Sequence, residues 1–254
     1  MKSKAKITKG LIIASAAILV FFIIGSISKK QNGKVINAIS IHVEDQYDNF
    51  FIDENDILKL INDGHTNSIV GVPVNDLELK EIETNIKSNP FVRTAEVYRD
   101  LKGNLMVKVK PRKPMARILI NNGPDAYIDS GGEIIPTSDE FTARVVLISG
   151  TYTKKLMTEK EADQEVKRNL TEMLKAIDGD KFLRAQVAQL DMDNEGRITI
   201  YPQIGKQYIE FGRPVNVEEK FKKLKILFKR ILPERGWNTF SRVNIEYNNQ
   251  IVCE

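Results

Sequence analysis

The chain has 254 residues, 42% apolar and 28% charged, enough for one large globular domain or two small ones. Its formal charge of +4 is unevenly placed: Lys2, Lys4, Lys6, Lys9, Lys29, Lys30 and Lys34 stand in the first 34 residues with no acid among them, and the remainder is mildly acidic. This excludes a basic nucleic-acid-binding body, and the single cysteine, Cys253, excludes an intramolecular disulfide.

The stretch from Leu11 to Ile27 carries no charge. At ~1.5 Å per residue it comes near the lower limit of the ~17–25 residues that cross a bilayer core. The expectation is a cytoplasmic tail over 1–10, a transmembrane helix over 11–28 and a linker over 29–34. The anchor would be formed by Leu11, Ile12, Ile13, Ile18, Leu19, Val20, Phe21, Phe22, Ile23 and Ile24, with Lys9, Lys29 and Lys30 at the interfaces. Four lysines ahead of the segment assign the N-terminus to the cytoplasm and residues 35–254 to the far side of the membrane. The alternative is a cleavable signal peptide, but Ser26–Ser28 is a poor cleavage site.

Next comes a strand: Ile39, Ile41 and Val43 alternate with Ser40 and His42. Asp53 is a fair N-cap for a helix striped by Ile57, Leu60 and Ile61 and stopped at Gly64. A second helix, capped by Asn75, carries Leu79, Ile82 and Ile86 on one face and ends at Pro90. Two strands follow, with Phe91, Ala95 and Val97 on one and Leu105, Val107 and Val109 on the other, joined by a turn at Gly103. The order is β-α-α-β-β, in which two one-sided helices cover one face of a three-stranded sheet.

Beyond residue 113 strands dominate: "ARILINN", "AYIDSGGEIIP" with a tight turn at 129–132, "RVVLISG", "AQVAQLDMD", "RITIYP", "QYIEFG" and a closing "VNIEY". A helix is expected over about Glu159 to Ile177, with Val166, Leu170, Met173 and Leu174 at helical spacing. Another, "VNVEEKFKKLKILFKRIL", carries Phe221, Leu224, Leu227 and Phe228 on one face and a basic, solvated surface on the other, and ends at Pro233. The fold class is α+β, with a mostly antiparallel second domain and two helices.

Chemistry-bearing motifs are scarce. His42 sits on the outer face of a strand and His65 follows Gly64. "DMDNEG", from Asp191 to Gly196, imitates the start of an EF-hand loop, but position twelve is Pro202 and the flanks are strand-like, so a hairpin turn is the better account. No nucleophile elbow, Walker A or dinucleotide fingerprint occurs. The expectation is a non-enzymatic protein with no catalytic residue, no cofactor and no metal site. Cys253 reads as a strand side chain rather than a reactive thiol or an intermolecular bridge.

The stretch "NPFVRTAEVYRDLKGNLMVKVKPRKPMARI" resembles a POTRA domain, and is most similar to that of the division-protein family FtsQ, also called DivIB. Pro90-Phe91-Val92, Ala95-x-Val97, Leu105-x-Val107-x-Val109 and Pro114-x-Ala116 carry the likeness. Pro111-Arg112 stands where many relatives have Glu-Arg. "AYIDSGGEIIP", "YIEFGRP" and "VNIEY" resemble segments of that family's second domain. The resemblance implies a POTRA domain over 35–113 and an FtsQ-type β domain over 114–254. It also implies a divisome scaffold in the inner membrane at the septum, binding FtsB-like and FtsL-like proteins by strand addition at the C-terminal edge. Tyr247 would be the anchor, with Glu246, Asn248, Ile251 and Val252 around it. Glu246 stands where many relatives have Arg, which would reverse the charge sought in the partner. The POTRA domain would be a further protein-binding unit. A POTRA-type transport chaperone is the rival reading, but those proteins carry several POTRA repeats and a long run of barrel strands.

Overall fold

The computed structural model describes residues 35–44, 51–62, 69–73, 77–158 and 164–254. Gly64, His65 and Asn75, with the helix stop and cap expected of the first and last, lie outside them. So does the transmembrane helix expected over 11–28, with Leu11–Ile13 and Ile18–Ile24. Among the described residues no helix is long and apolar enough to cross a membrane. Gln164–Asp178, with 15 residues, is shorter than a span and carries Glu165, Lys167, Arg168, Glu172 and Lys175. The fold class is corrected accordingly: the described fold is two α+β units, with no membrane-spanning element among its parts.

The first unit contains β1 (Ile39–Val43), α1 (Glu54–Asn62), α2 (Leu79–Ser88), β2 (Val92–Arg99) and β3 (Leu105–Pro111). The sheet order is β1-β3-β2, with β1 parallel and β2 antiparallel to β3. A parallel neighbour needs a long crossover, and the two helices supply it. Asp53 caps α1: its Oδ1 accepts from the Asp56 amide at 2.8 Å, and Asp56 Oδ2 accepts in return from the Asp53 amide at 3.2 Å. The Asp56 amide holds the Asp53 carboxyl below its ordinary range. Ile57 and Ile61 of α1 and Ile82 and Ile86 of α2 are buried against Leu105, Val107 and Val109.

Two expectations for this unit shift. The second helix begins at Leu79, with no side-chain cap at Glu78. In β2 the buried residues are Val92 and Ala95, because a register shift between Val92 and Thr94 inserts a bulge; Phe91 and Val97 are only half-buried. The β2–β3 turn is built by Asp100, whose carboxylate accepts from the amides of Lys102 and Asn104, each at 2.8 Å.

The second unit contains a nine-stranded sheet. Its first strands are β4 (Pro114–Ile118), β5 (Ala126–Asp129), β6 (Ile134–Pro136) and β7 (Val146–Ser149). Its later ones are β8 (Val187–Met192), β9 (Ile198–Pro202), β10 (Tyr208–Gly212), β11 (Arg242–Asn244) and β12 (Val252–Cys253). Their order is β12-β11-β10-β9-β8-β7-β4-β5-β6. The sheet is mixed: β4 with β7, β7 with β8 and β10 with β11 pair parallel. Each parallel pair joins strands separated in the chain by a long excursion, two of them helical. The helices are α3 (Thr153–Met157), α4 (Gln164–Asp178), α5 (Lys181–Gln186), α6 (Val217–Ile226) and α7 (Leu232–Arg235). The expectation of two helices is thus too low; α3 and α5 are too short to show an apolar stripe. Residues 159–163, the expected start of α4, lie outside the described residues.

Pro233 does not end the last helix. A π-helical turn over Leu227–Ile231 joins α6 to α7, Pro233 sits in the first turn of α7, and the helix stops at Gly236. A proline removes one amide and crowds the carbonyl four residues back, and a widened turn relieves both. Leu170, Met173 and Leu174 of α4 and Phe221, Leu224, Leu227 and Phe228 of the last helix are buried in one core with the sheet.

Candidate partner-binding edge

Strand register sorts the C-terminal half of this sheet into two faces. Ile148, Leu190, Ile200, Ile209, Val243 and Cys253 are successive lateral partners from β7 to β12 and lie on the core side. One residue along, Ser149, Asp191, Thr199, Glu210, Asn244 and Val252 form the parallel row on the opposite side. Alternation along each strand produces this division. Asp191, Thr199, Glu210 and Asn244 of this row line a groove of about 330 Å³, together with Asp193, Arg197, Arg242, Glu246 and Tyr247.

The groove is internally bonded. Arg242 Nε and Nη2 donate to the two carboxylate oxygens of Glu210, each at 2.9 Å, and its Nη1 donates to Glu254 Oε2 at 2.8 Å. A two-pronged guanidinium–carboxylate pair fixes direction as well as distance. Asn244, 6% exposed, donates to Glu210 Oε2 at 2.6 Å and accepts from the Glu246 amide at 2.9 Å. The Arg242 hydrogen bond is the main cause that holds the Glu210 carboxyl below its ordinary range, against the opposing effect of burial. The Glu210 and Glu254 carboxylates in turn hold the Arg242 guanidinium above its usual value. Ser149 Oγ donates to Asp191 at 2.5 Å.

The five residues expected at the partner site divide by location. Glu246 is half-buried, its carboxylate hydrogen-bonded to Arg197 and lying over Gly212, whose φ of +71° suits a residue without Cβ. Tyr247 is 53% exposed, and Asn248 is exposed beside it in the turn that Asn249 completes at φ +58°. Ile251 packs against the core, whereas Val252 lies on the polar row. Sequence reasoning missed Arg197, Glu210, Arg242 and Asn244, whose only local signal was a polar residue at every second position of a strand. Cys253, half-buried on the core side, has its thiol pushed up by burial.

Two lysines position this edge from below. Lys220 and Lys223 of α6, expected on a solvated face, are 5% and 7% exposed. Lys220 donates to the carbonyls of Phe211 at 2.9 Å and Arg213 at 2.8 Å, and burial lowers its pKa. Lys223 donates to the Tyr247 carbonyl at 2.6 Å. Their aliphatic stems share the core face while the ammoniums reach carbonyls at the end of β10 and in the segments that follow β10 and β11.

Among the described residues β12 is the terminal strand of the sheet. Arg242 and Glu254 exchange both main-chain hydrogen bonds, at 3.1 and 2.9 Å. In an antiparallel pair the intervening residue then turns its amide and carbonyl away from the partner. The main-chain groups of Cys253 therefore point outward from the edge.

Arg112, at the junction before β4, has a defined partner as well. Arg112 Nη1 donates at 2.8 Å to Asp129, which is fully buried and also accepts from the amides of Gly131 and Glu133 at 2.8 and 2.9 Å. This carboxylate builds the β5–β6 turn expected at 129–132.

Residues 113–254 match the family model described as FtsQ/DivIB, C-terminal related. The chain belongs to the FtsQ/DivIB family. Residues 34–110 match a POTRA-like domain model, in keeping with the β-α-α-β-β order of the first unit. A curated relative, the cell division protein FtsQ of Syntrophotalea carbinolica, is 25% identical over 179 residues, 69% of this chain and 62% of that protein. The match thus spans less than two thirds of that relative's length. The FtsQ/DivIB assignment makes this a chain of a cell-division family.

Proposed function

We propose that this chain is a non-enzymatic scaffold of bacterial cell division that receives an FtsB-like protein, held with an FtsL-like one, by strand addition at β12. It would act at the septum, linking early to late division proteins. The observation that carries this reading is the outward amide and carbonyl of Cys253 on the terminal strand, close in the chain to a half-exposed Tyr247. An unpaired strand edge is a template for another strand, and main-chain bonds of about 1 kcal/mol net each supply affinity that pockets make specific. Tyr247 offers the large amphipathic side chain typical of interface anchors. The first unit adds two further edges, β1 and β2, as a second protein-binding surface.

The test is a pull-down of the FtsB-like protein of the same organism with the full chain and with Tyr247→Ala. Capture should fall about tenfold or more, consistent with loss of an anchor worth about 2 kcal/mol, while the circular dichroism spectrum and thermal midpoint stay unchanged. Equal capture by both proteins would remove Tyr247 from the site.

A further inference from the structure

We propose that the segment received at β12 is basic on one face, with Lys or Arg laid against the polar side of the sheet and apolar residues on its core side. This rests on the strand-addition reading above and names the chemistry of the occupant. A strand added beside β12 continues both rows of the sheet. Its residues beside Ile251 and Cys253 meet the core side, where both side chains pack. Its residues beside Val252 and Glu254 fall on the polar side.

The charges there have one sign to spare. Both cations that line the groove are occupied: Arg242 is shared between Glu210 and Glu254, and Arg197 is held by Glu246. Lys220 and Lys223 are buried, with their ammoniums against the main-chain carbonyls of Phe211 and Tyr247. Against Arg197 and Arg242 stand five carboxylates, Asp191, Asp193, Glu210 and Glu246 in the groove and Glu254 at the edge itself; Glu210, Glu246 and Glu254 are in those same ion pairs, so what is left over is negative charge, and the Glu254 side chain is 58% exposed. An incoming carboxylate would meet this excess without a free cation. An incoming ammonium or guanidinium would find Glu254 beside its own strand position and the Tyr247 ring at the groove rim, able to take a cation on its face.

The experiment uses the full chain and three synthetic extended peptides. Two alternate apolar residues with Lys or with Glu; the third is the Lys peptide with its backbone N-methylated at the edge-facing positions. Binding is followed by fluorescence anisotropy at low salt and at about 0.5 M salt, where surface charge pairs are screened. The expected result is that the Lys peptide binds about tenfold more tightly than the Glu peptide, as two or three partly exposed charge pairs allow. The gap should narrow in high salt and in Glu254→Gln, and N-methylation should abolish binding. Equal binding of the Lys and Glu peptides, both lost on N-methylation in matched controls, would overturn the charge preference and leave strand addition standing. A Lys peptide that binds equally well when N-methylated would overturn the placement at the edge. No binding of any peptide would count against the proposal and the strand-addition reading together.

Discussion

The Lys223 ammonium lies 2.6 Å from the carbonyl oxygen of Tyr247, so a residue of the last long helix sets the chain path between β11 and β12. The contact ties the exposed aromatic ring to the core: Lys223 is 7% exposed and its helical neighbour Leu224 is fully buried. Removing the ammonium leaves a carbonyl at the sheet margin without its charged donor. Lys223→Met should lower stability by about 1.5–3 kcal/mol, the range for hydrogen bonds to charged groups. It should also weaken capture of the division partner beyond what the stability change explains. Thermal unfolding and pull-down on the same preparation would separate the two, and unchanged capture would show that the turn keeps its path unaided.

Asp129 makes the strongest stability prediction. It is fully buried with Arg112 and two turn amides around it. Asp129→Ala removes the buried acceptor that Arg112 and both turn amides share, and should destabilise the second unit by about 3–5 kcal/mol. Asp129→Asn keeps one acceptor oxygen and should recover part of the loss. Denaturant unfolding of both variants measures this; equal, small effects would contradict the role given to the buried carboxylate.

Gly212 tests the packing under Glu246. A Cβ at this position would stand 2.4 Å from the Glu246 carboxyl carbon, and its φ is +71°. Gly212→Ala should cost about 1–2 kcal/mol for the left-handed backbone and move Glu246 off Arg197. A lowered thermal midpoint is expected, together with a weaker preference for basic peptides. A midpoint equal to that of the parent protein would mean that the backbone there relaxes freely.

The pH dependence follows from Glu210. Its folded pKa lies below the ordinary glutamate value, chiefly through the Arg242 hydrogen bond. A depressed carboxylate contributes stability that is fully present above its unfolded pKa and is lost as pH falls through the folded one. Acid should therefore loosen the β10–β11 pairing below about pH 4.5, and Glu210→Gln should flatten that part of the stability curve. Parallel curves for the two proteins would assign the acid response to other groups.

How much of this was legible in the sequence depends on the range of the contacts. The Asp53 cap, the Ile57, Ile61, Ile82 and Ile86 stripes and the Asp129–Gly132 turn are local patterns, and each appears where its residues suggest. The bulge at Val92–Thr94 and the π-helical turn before Pro233 are local too, but they answer to packing and to a missing amide rather than to periodicity. The polar row is different. Asp191, Thr199, Glu210 and Asn244 are neighbours only through the register of four strands, which no short window contains. Lys220 and Lys223 misled for another reason: a basic helical face reads as solvated unless the carbonyls it meets are known.

The most direct measurement of the central claim is hydrogen exchange at the amide of Cys253 in the full chain, alone and with the FtsB-like protein bound. In the free chain this amide points away from β11 and should exchange quickly for a strand residue. Strand addition predicts that it becomes strongly protected in the complex, along with the amide of Ile251, while Tyr247→Ala weakens the effect. A saturated complex in which the Cys253 amide exchanges as fast as before would contradict pairing at β12 and move the partner to another surface.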